Sequence, residues 1–127
     1  MIQRLTVRAD FLRAAKAPYA ARTAVVVQAR ARGDDRELIR LGFTATKKVG
    51  NAVARNRAKR RLREAAHALI PVLGLPGHDY VFIARAMTGE QPWQALLDDV
   101  KAALLRLAAK GVARPKPAPA ADSDPVT

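Results

Sequence analysis

Apolar residues recur three or four positions apart in two parts of the chain, and this spacing is typical of helices that face a core. It predicts a short helix from Thr6 or Arg8 to Lys16 and a final helix that opens at Pro92 and stops at Gly111. The predicted apolar stripe of the final helix consists of Trp93, Leu96, Leu97, Val100, Leu104 and Leu107. Beyond this helix the chain is rich in Pro and Ala, which predicts a disordered tail at residues 112–127 after one folded domain at residues 1–111.

Other segments are rich in β-branched and aromatic residues and lack the helical period. They predict strands at residues 22–31, 38–46 and 80–86. A charged turn that contains Gly, residues 30–37, separates the first two strands, so they are predicted to pair as a hairpin. By the two-residue period of a strand, Thr44 and Thr46 share a face with Gly42. Phe43 points to the other face. Together with the helices, these strands predict an α+β sandwich with helices packed on a small sheet.

The most unusual pattern lies at residues 47–63, which contain eight Lys or Arg and no Asp or Glu. Asn51 is a good N-cap, and a helical pattern follows it to about Leu69, where Pro71 is expected to end the helix. One stripe of this helix is apolar, and cations cover most of the remaining arc. Cations near a helix start oppose its dipole, and like charges four residues apart repel each other. A solvated helix face would intersperse acids, so their absence indicates a polyanionic partner.

Composition supports this interpretation. The chain has 23 Lys and Arg against 11 Asp and Glu, a formal charge of +12, which exceeds what solubility requires. Phosphate backbones favour such a surface, because each neutralised phosphate releases condensed counterions. An anionic membrane is the alternative, but the apolar stripe of the basic helix is mainly Ala, whereas membrane-lying helices carry bulky apolar residues. The absence of cysteine excludes a disulfide framework and zinc–thiolate sites, and it fits a reducing cytoplasm.

The run LGFTATKKVGNAVARNRAKRRLREA, residues 41–65, closely resembles the signature of the bacterial ribonuclease P protein component. In this signature a strand ends in paired lysines, which are followed by Gly-Asn and then by a helix with an Arg-Asn-Arg core. The resemblance extends over about residues 4–110 and includes DF in the first helix and DYVFIAR on the late strand. It implies an α+β two-layer sandwich on a four-stranded sheet, in the order α-β-β-β-α-β-α, with a left-handed β-α-β crossover like that of a ribosomal protein domain.

The resemblance also implies the protein subunit of a ribonucleoprotein that removes the 5′ leader from precursor tRNA. Its RNA subunit would carry the catalytic site and hold Mg²⁺, so no catalytic residue is expected in the protein, and whether the protein binds metal is unknown. The partners implied are the catalytic RNA and precursor tRNA, with neither a membrane nor a small-molecule substrate, in the cytoplasm. The RNA-binding residues implied are Lys47, Lys48, Asn51, Arg55, Asn56, Arg57, Lys59, Arg60 and Arg63. The cleft implied for the single-stranded leader involves Phe11, Thr44, Thr46 and Lys47.

The chain departs from the family pattern in this cleft, because Ala15 stands where relatives often carry a second aromatic residue. Leader recognition is therefore expected to depend on Phe11, Tyr19 and charge, although Phe11 could instead be only a core residue. Trp93 is expected to anchor the core rather than to stack on a base. Both histidines are expected at the surface.

Two other functions compete with this interpretation. A structural RNA-binding protein, such as a ribosomal one, would show a similar charge, although the Arg-Asn-Arg context argues against it. An independent metal-dependent nuclease would require a cluster of carboxylates, and the scattered acids of this chain do not indicate one.

Overall fold

The structure, a computed structural model, describes residues 2–109, so the predicted tail and the predicted helix stop at Gly111 lie outside the described residues. In chain order the elements are β1 (Ile2–Arg4), α1 (Arg8–Ala15), β2 (Tyr19–Ala21), β3 (Val25–Ala31), β4 (Ile39–Thr44), a 3-10 helix (Lys47–Val49), α2 (Ala52–Leu73), β5 (His78–Ala84) and α3 (Trp93–Ala109). The predicted α+β class and element order are confirmed. The short strand β1 is an addition to the predicted sheet.

The five strands form one mixed sheet in the order β1-β4-β5-β3-β2. The central strand β5 pairs antiparallel with β3 and parallel with β4. At the edges, β1 is parallel to β4 and β2 is antiparallel to β3. Because β4 and β5 are parallel neighbours, α2 connects them as a β-α-β crossover.

The predicted hairpin between β3 and β4 is wrong, because β5 lies between these strands. Six of the seven β5 residues are buried, so this strand is covered on both faces and takes the central place. The turn after β3 is bonded to the segment before β5 instead. The Arg32 N–H donates to the Gly77 carbonyl at 3.0 Å, and the Gly77 N–H donates to the Glu37 carbonyl at 3.1 Å.

Helices cover both faces of the sheet, to different extents. The larger core lies under α2 and α3, where Leu62 and Leu96 are fully buried and Phe43 stacks on Phe82 with ring centroids 5.3 Å apart. The predicted two-layer packing describes this side. On the opposite face, α1 contributes Ala14 to a smaller cluster of buried residues. None of the helices within residues 2–109 is long and apolar enough to cross a membrane.

The helix α2 begins where the sequence predicts but continues one turn further. The Asn51 side chain accepts a hydrogen bond from the Ala54 N–H at 2.9 Å, which confirms the N-cap. The helix then runs past Leu69 and includes Pro71 in its last turn. Proline there removes one hydrogen bond of the helix and its ring crowds the carbonyl four residues earlier. The adjacent Ile70 is 1% exposed, and its burial offsets this cost and holds the last turn in place.

Candidate nucleic-acid interface

The turn into α2 is fixed by local geometry. Gly50 has a φ of 141°, and a Cβ at this position would lie 2.9 Å from the Ala54 Cβ, so a larger residue would be strained here. The Gly50 carbonyl also accepts a hydrogen bond from the Arg55 guanidinium at 3.0 Å. These contacts connect the 3-10 helix, which carries Lys47 and Lys48, to the first turn of α2.

The residues predicted to bind RNA all lie on α2 or on its lead-in, outside the buried stripe. The exposed ones are Lys47, Lys48, Asn51, Asn56, Arg57 and Arg60, and the half-buried ones are Arg55, Lys59 and Arg63. We call these residues the basic surface. Within it, the side-chain oxygen of Asn51 is already used by the N-cap, so its amide N–H₂ group is the part that remains for a ligand.

The cations of the basic surface have no acidic partners within the described part of the chain. The ion pairs among residues 2–109 involve Arg13, Arg22, Arg30, Arg32 and Arg40, and none includes a Lys or Arg from residues 47–63. The basic surface therefore keeps its full charge and repels itself. Guanidinium groups in this state can bind phosphate oxygens through two parallel hydrogen bonds.

Two arginines of α2 lie over aromatic rings at the borders of the basic surface. The Arg63 Cζ is 5.6 Å from the ring centroid of Phe43, and the Arg61 Cζ is 5.9 Å from that of Trp93. Arg61, which the sequence did not place among the RNA-binding residues, donates hydrogen bonds to the Thr88 and Gln91 carbonyls, each at 2.6 Å. The expectation that Trp93 is a core anchor is wrong, because 40% of this residue is exposed at the start of α3.

The residues of the predicted leader cleft lie near the end of β4. Phe11, on α1, packs directly over Gly42, where an added Cβ would lie 2.5 Å from the Phe11 ring. Only glycine permits this close approach. Thr44 is the last residue of β4, two positions after Gly42 and so on the same face, and Thr46 and Lys47 follow it as exposed residues. Phe11 is half-buried, so its ring both packs on the sheet and reaches the surface.

A second group of arginines surrounds a buried carboxylate on the face of the sheet that α1 covers. Asp79 is 0% exposed and accepts hydrogen bonds from Arg40 at 2.8 and 2.7 Å, from Arg32 at 2.9 Å and from Arg30 at 3.3 Å. Arg40 also donates to Asp10 on α1 at 3.2 Å. We call these five residues the Asp79 cluster. It connects α1 to three strands, and the sequence did not indicate it.

The arginines decide the charge state of this buried carboxyl. Burial raises the pKa of Asp79, but the hydrogen bonds from Arg40 and Arg32 outweigh burial and hold the pKa below its ordinary value. In return, the hydrogen bond to Asp79 raises the pKa of Arg40. Asp79 is therefore a carboxylate at neutral pH, with its oxygens occupied by arginines.

The described residues offer no donor set for a metal ion. Within residues 2–109, no group of three or more His, Asp or Glu side chains is placed to hold one. His67 is exposed, as expected, but His78 is 3% exposed, so the prediction of a surface residue is wrong for His78. Its Nδ1 lies 2.8 Å from the Pro76 carbonyl oxygen, which makes it a structural residue of the loop before β5.

Sequence comparisons identify relatives along nearly the whole described chain. The family model described as Ribonuclease P matches residues 2–108. A ribonuclease P protein component from Caulobacter vibrioides (strain NA1000 / CB15N) is 62% identical over 107 residues, which cover 84% of this chain and 72% of the relative. One from Ruegeria pomeroyi is 54% identical over 112 residues, which cover 87% of this chain and 86% of the relative.

Solved structures with a similar fold are also RNase P proteins. The RNase P protein from Staphylococcus aureus superimposes with a TM-score of 0.67 at 28% identity, over 83% of this chain and 94% of that chain. The RNase P protein from Thermotoga maritima gives a TM-score of 0.68 at 28% identity, over 81% of this chain and 96% of that chain. The fold is therefore shared over about four-fifths of this chain.

Proposed function

Because the chain belongs to the ribonuclease P protein family, we propose that it is the protein subunit of a cytoplasmic ribonucleoprotein endonuclease that removes the 5′ leader from precursor tRNA. The RNA subunit is the catalyst in this proposal, and the protein binds both the RNA subunit and the substrate. The observation that carries it is the basic surface, whose cations have no acidic partner within residues 2–109.

The basic surface is assigned to the RNA subunit. Exposed guanidinium groups such as those of Arg57 and Arg60 would bind phosphates and release counterions, and binding would remove the mutual repulsion of the free surface. Beside them lies the exposed amide of Asn56, which both donates and accepts and so suits a ribose hydroxyl or a base edge.

The cleft beside β4 is assigned to the single-stranded leader. The half-buried ring of Phe11 offers a surface for a base, the Thr44 and Thr46 hydroxyls can donate to phosphate or sugar oxygens, and Lys47 neutralises a phosphate. If Phe11 contacts the leader, Phe11→Ala weakens binding of precursor tRNA more than binding of mature tRNA. Equal losses for the two RNAs, with the variant folded, would make Phe11 a core residue only.

Mg²⁺ is assigned to the RNA, because the described residues offer no donor set of their own. When bound, the ion supplies activation of the attacking water. The cations of the protein reduce the electrostatic repulsion between the catalytic RNA and the substrate. Less Mg²⁺ is then required to hold the two RNAs together.

A reconstitution assay tests the proposal by measuring precursor tRNA cleavage across a Mg²⁺ series with RNA subunit alone, protein alone, and both. Protein alone should not cleave, and the combination should cleave at lower Mg²⁺ than the RNA alone. Efficient cleavage by RNA-free protein would overturn the assignment of roles. An unchanged Mg²⁺ requirement, with the protein found instead on ribosomes, would favour a structural RNA-binding protein.

A further inference from the structure

The indole of Trp93 forms an unusual exposed site beside the basic surface. It belongs to the sole tryptophan of the chain, it is 40% exposed, and the Arg61 guanidinium lies 5.9 Å from its ring centroid. The two hydrogen-bond acceptors of Arg61 are backbone carbonyls, which leave its positive charge uncompensated. A cation and an aromatic ring are therefore held together at the surface, with no acid of the described residues paired to the cation.

The turn between β5 and α3, which holds Arg61, is itself held by hydrogen bonds of Thr88. Thr88 is 0% exposed, and its hydroxyl donates to the Ala24 carbonyl at 2.5 Å and accepts from the Arg85 N–H at 2.7 Å. The first bond ties the turn between β5 and α3 to the residue just before β3, and the second lies within the turn. Because the Thr88 carbonyl is one of the acceptors of Arg61, the guanidinium is positioned before any ligand binds. Binding would therefore cost little conformational entropy at this side chain.

The position of this site on α2 connects it to the rest of the basic surface. Arg57 lies four residues before Arg61, so the two side chains are neighbours on one side of the helix. Arg57 is exposed and forms no ion pair within residues 2–109. A nucleotide whose base lies on the indole would thus find a cation for its phosphate one helical turn away.

We propose that Trp93 and Arg61, with Arg57, form a stacking site for an unpaired RNA base. The ring supplies a stacking surface that tolerates any base, Arg61 adds a cation–π contact, and Arg57 neutralises the adjacent phosphate. The inference rests on the proposed function for its ligand class and extends it, because neither Trp93 nor Arg61 was among the residues predicted to bind RNA.

Tryptophan fluorescence tests this site directly, since one residue gives the whole signal. Full-length protein is titrated with ribonuclease P RNA from Caulobacter vibrioides, with precursor tRNA, and with both, while binding is measured in parallel with labelled RNA. Stacking should quench the emission and protect Trp93 from acrylamide, and the arm that does so identifies which RNA supplies the base. Unchanged emission and accessibility with RNA bound would overturn the stacking site but leave the proposed function. Absence of RNA binding would overturn both.

Variants separate stacking from a structural role of Trp93. Trp93→Leu should weaken RNA binding roughly five- to 150-fold, the range for one stacked base, while Trp93→Phe should retain part of the affinity. The salt dependence should stay parallel to wild type in both, because the ring neutralises no phosphate. Leu105→Ala, which truncates a residue of α3 that is 47% exposed, is the matched control and should bind like wild type. Equal affinity of the Leu and Phe variants, both folded by circular dichroism, would overturn the inference.

Discussion

Two groups of arginines in this molecule have the same chemistry but opposite surroundings. In the Asp79 cluster, Arg30, Arg32 and Arg40 converge on one carboxylate that is 0% exposed. In the basic surface, the arginines of α2 form no ion pair with any residue in the range 2–109. The first group is paired with acids inside the fold, and the second has no acidic partner among the described residues.

The difference shows that the spatial neighbours of an arginine indicate its role better than its position in the sequence does. Guanidinium groups around Asp79 satisfy a buried charge and hold α1, β3, β4 and β5 together. The guanidinium groups of the basic surface gain nothing comparable from the fold and repel one another. A polyanion would supply the second group with negative charge, as Asp79 does for the first group.

The largest expected effect comes from removing the charge of Asp79. Asp79→Asn removes the buried carboxylate on which three arginines converge. Arg40 keeps Asp10 and Arg32 keeps Asp34, but Arg30 is left without an ion pair among residues 2–109. Breaking a buried charge pair on one side typically costs about 3 to 5 kcal/mol, and the free energy of unfolding in urea should fall by this order. Asp35→Asn, at an exposed acid of the turn after β3, is the control and should change little. If both variants unfold alike, the Asp79 cluster does not hold the fold together.

Acid should remove the same contribution without a mutation. Because the folded-state pKa of Asp79 lies below its ordinary value of 3.8, its contribution to stability is present above that value. It is lost as the pH falls through the lowered pKa, when the folded protein binds the proton. Urea unfolding between pH 7 and pH 2 should therefore show the gap between wild type and Asp79→Asn closing on the acid side. A gap of constant size would assign the loss to packing.

The basic surface could be predicted from the sequence because its causes are local. The 3.6-residue period, the Asn51 cap and the absence of acids all lie within residues 47–63 and are readable without tertiary structure. The same locality explains the one error in α2. Pro71 argues for a helix end on local grounds, and the burial of Ile70 overrides it.

The Asp79 cluster could not be predicted because it depends on strand order. Asp79 is the cross-strand neighbour of Arg30 on one side and of Arg40 on the other, which requires β5 to lie between β3 and β4. The hairpin prediction placed β3 beside β4, which left no place for β5, and therefore for Asp79, between Arg30 and Arg40. Trp93 was mispredicted for a related reason: the period of a helix shows which side faces the core, but not where along the helix that contact begins.

Removing two cations of the basic surface should weaken RNA binding without affecting the Asp79 cluster. Arg60→Ala with Arg63→Ala should lower the affinity for the RNA subunit on the order of tenfold at 0.15 M salt, and the slope of log affinity against log salt should decrease by about 1.4 to 1.8. Filter binding across a salt series measures both. Arg36→Ala with Arg106→Ala removes two exposed arginines elsewhere and is the charge-matched control. The same slope change in the control would mean that only total charge matters.

The smallest effect should be a gain in stability from reversing one charge on the basic surface. Lys59 lies four residues after Arg55 and four before Arg63, so it contributes two repulsive pairs along α2. Lys59→Glu converts both into attractive pairs and should raise the free energy of unfolding by about 1 kcal/mol at low salt. The gain should shrink as salt screens the pairs, while RNA binding weakens. Opposite signs for stability and affinity are the expected signature of a surface arranged for a partner, and a stability loss in Lys59→Glu would mean that the free protein does not repel itself there.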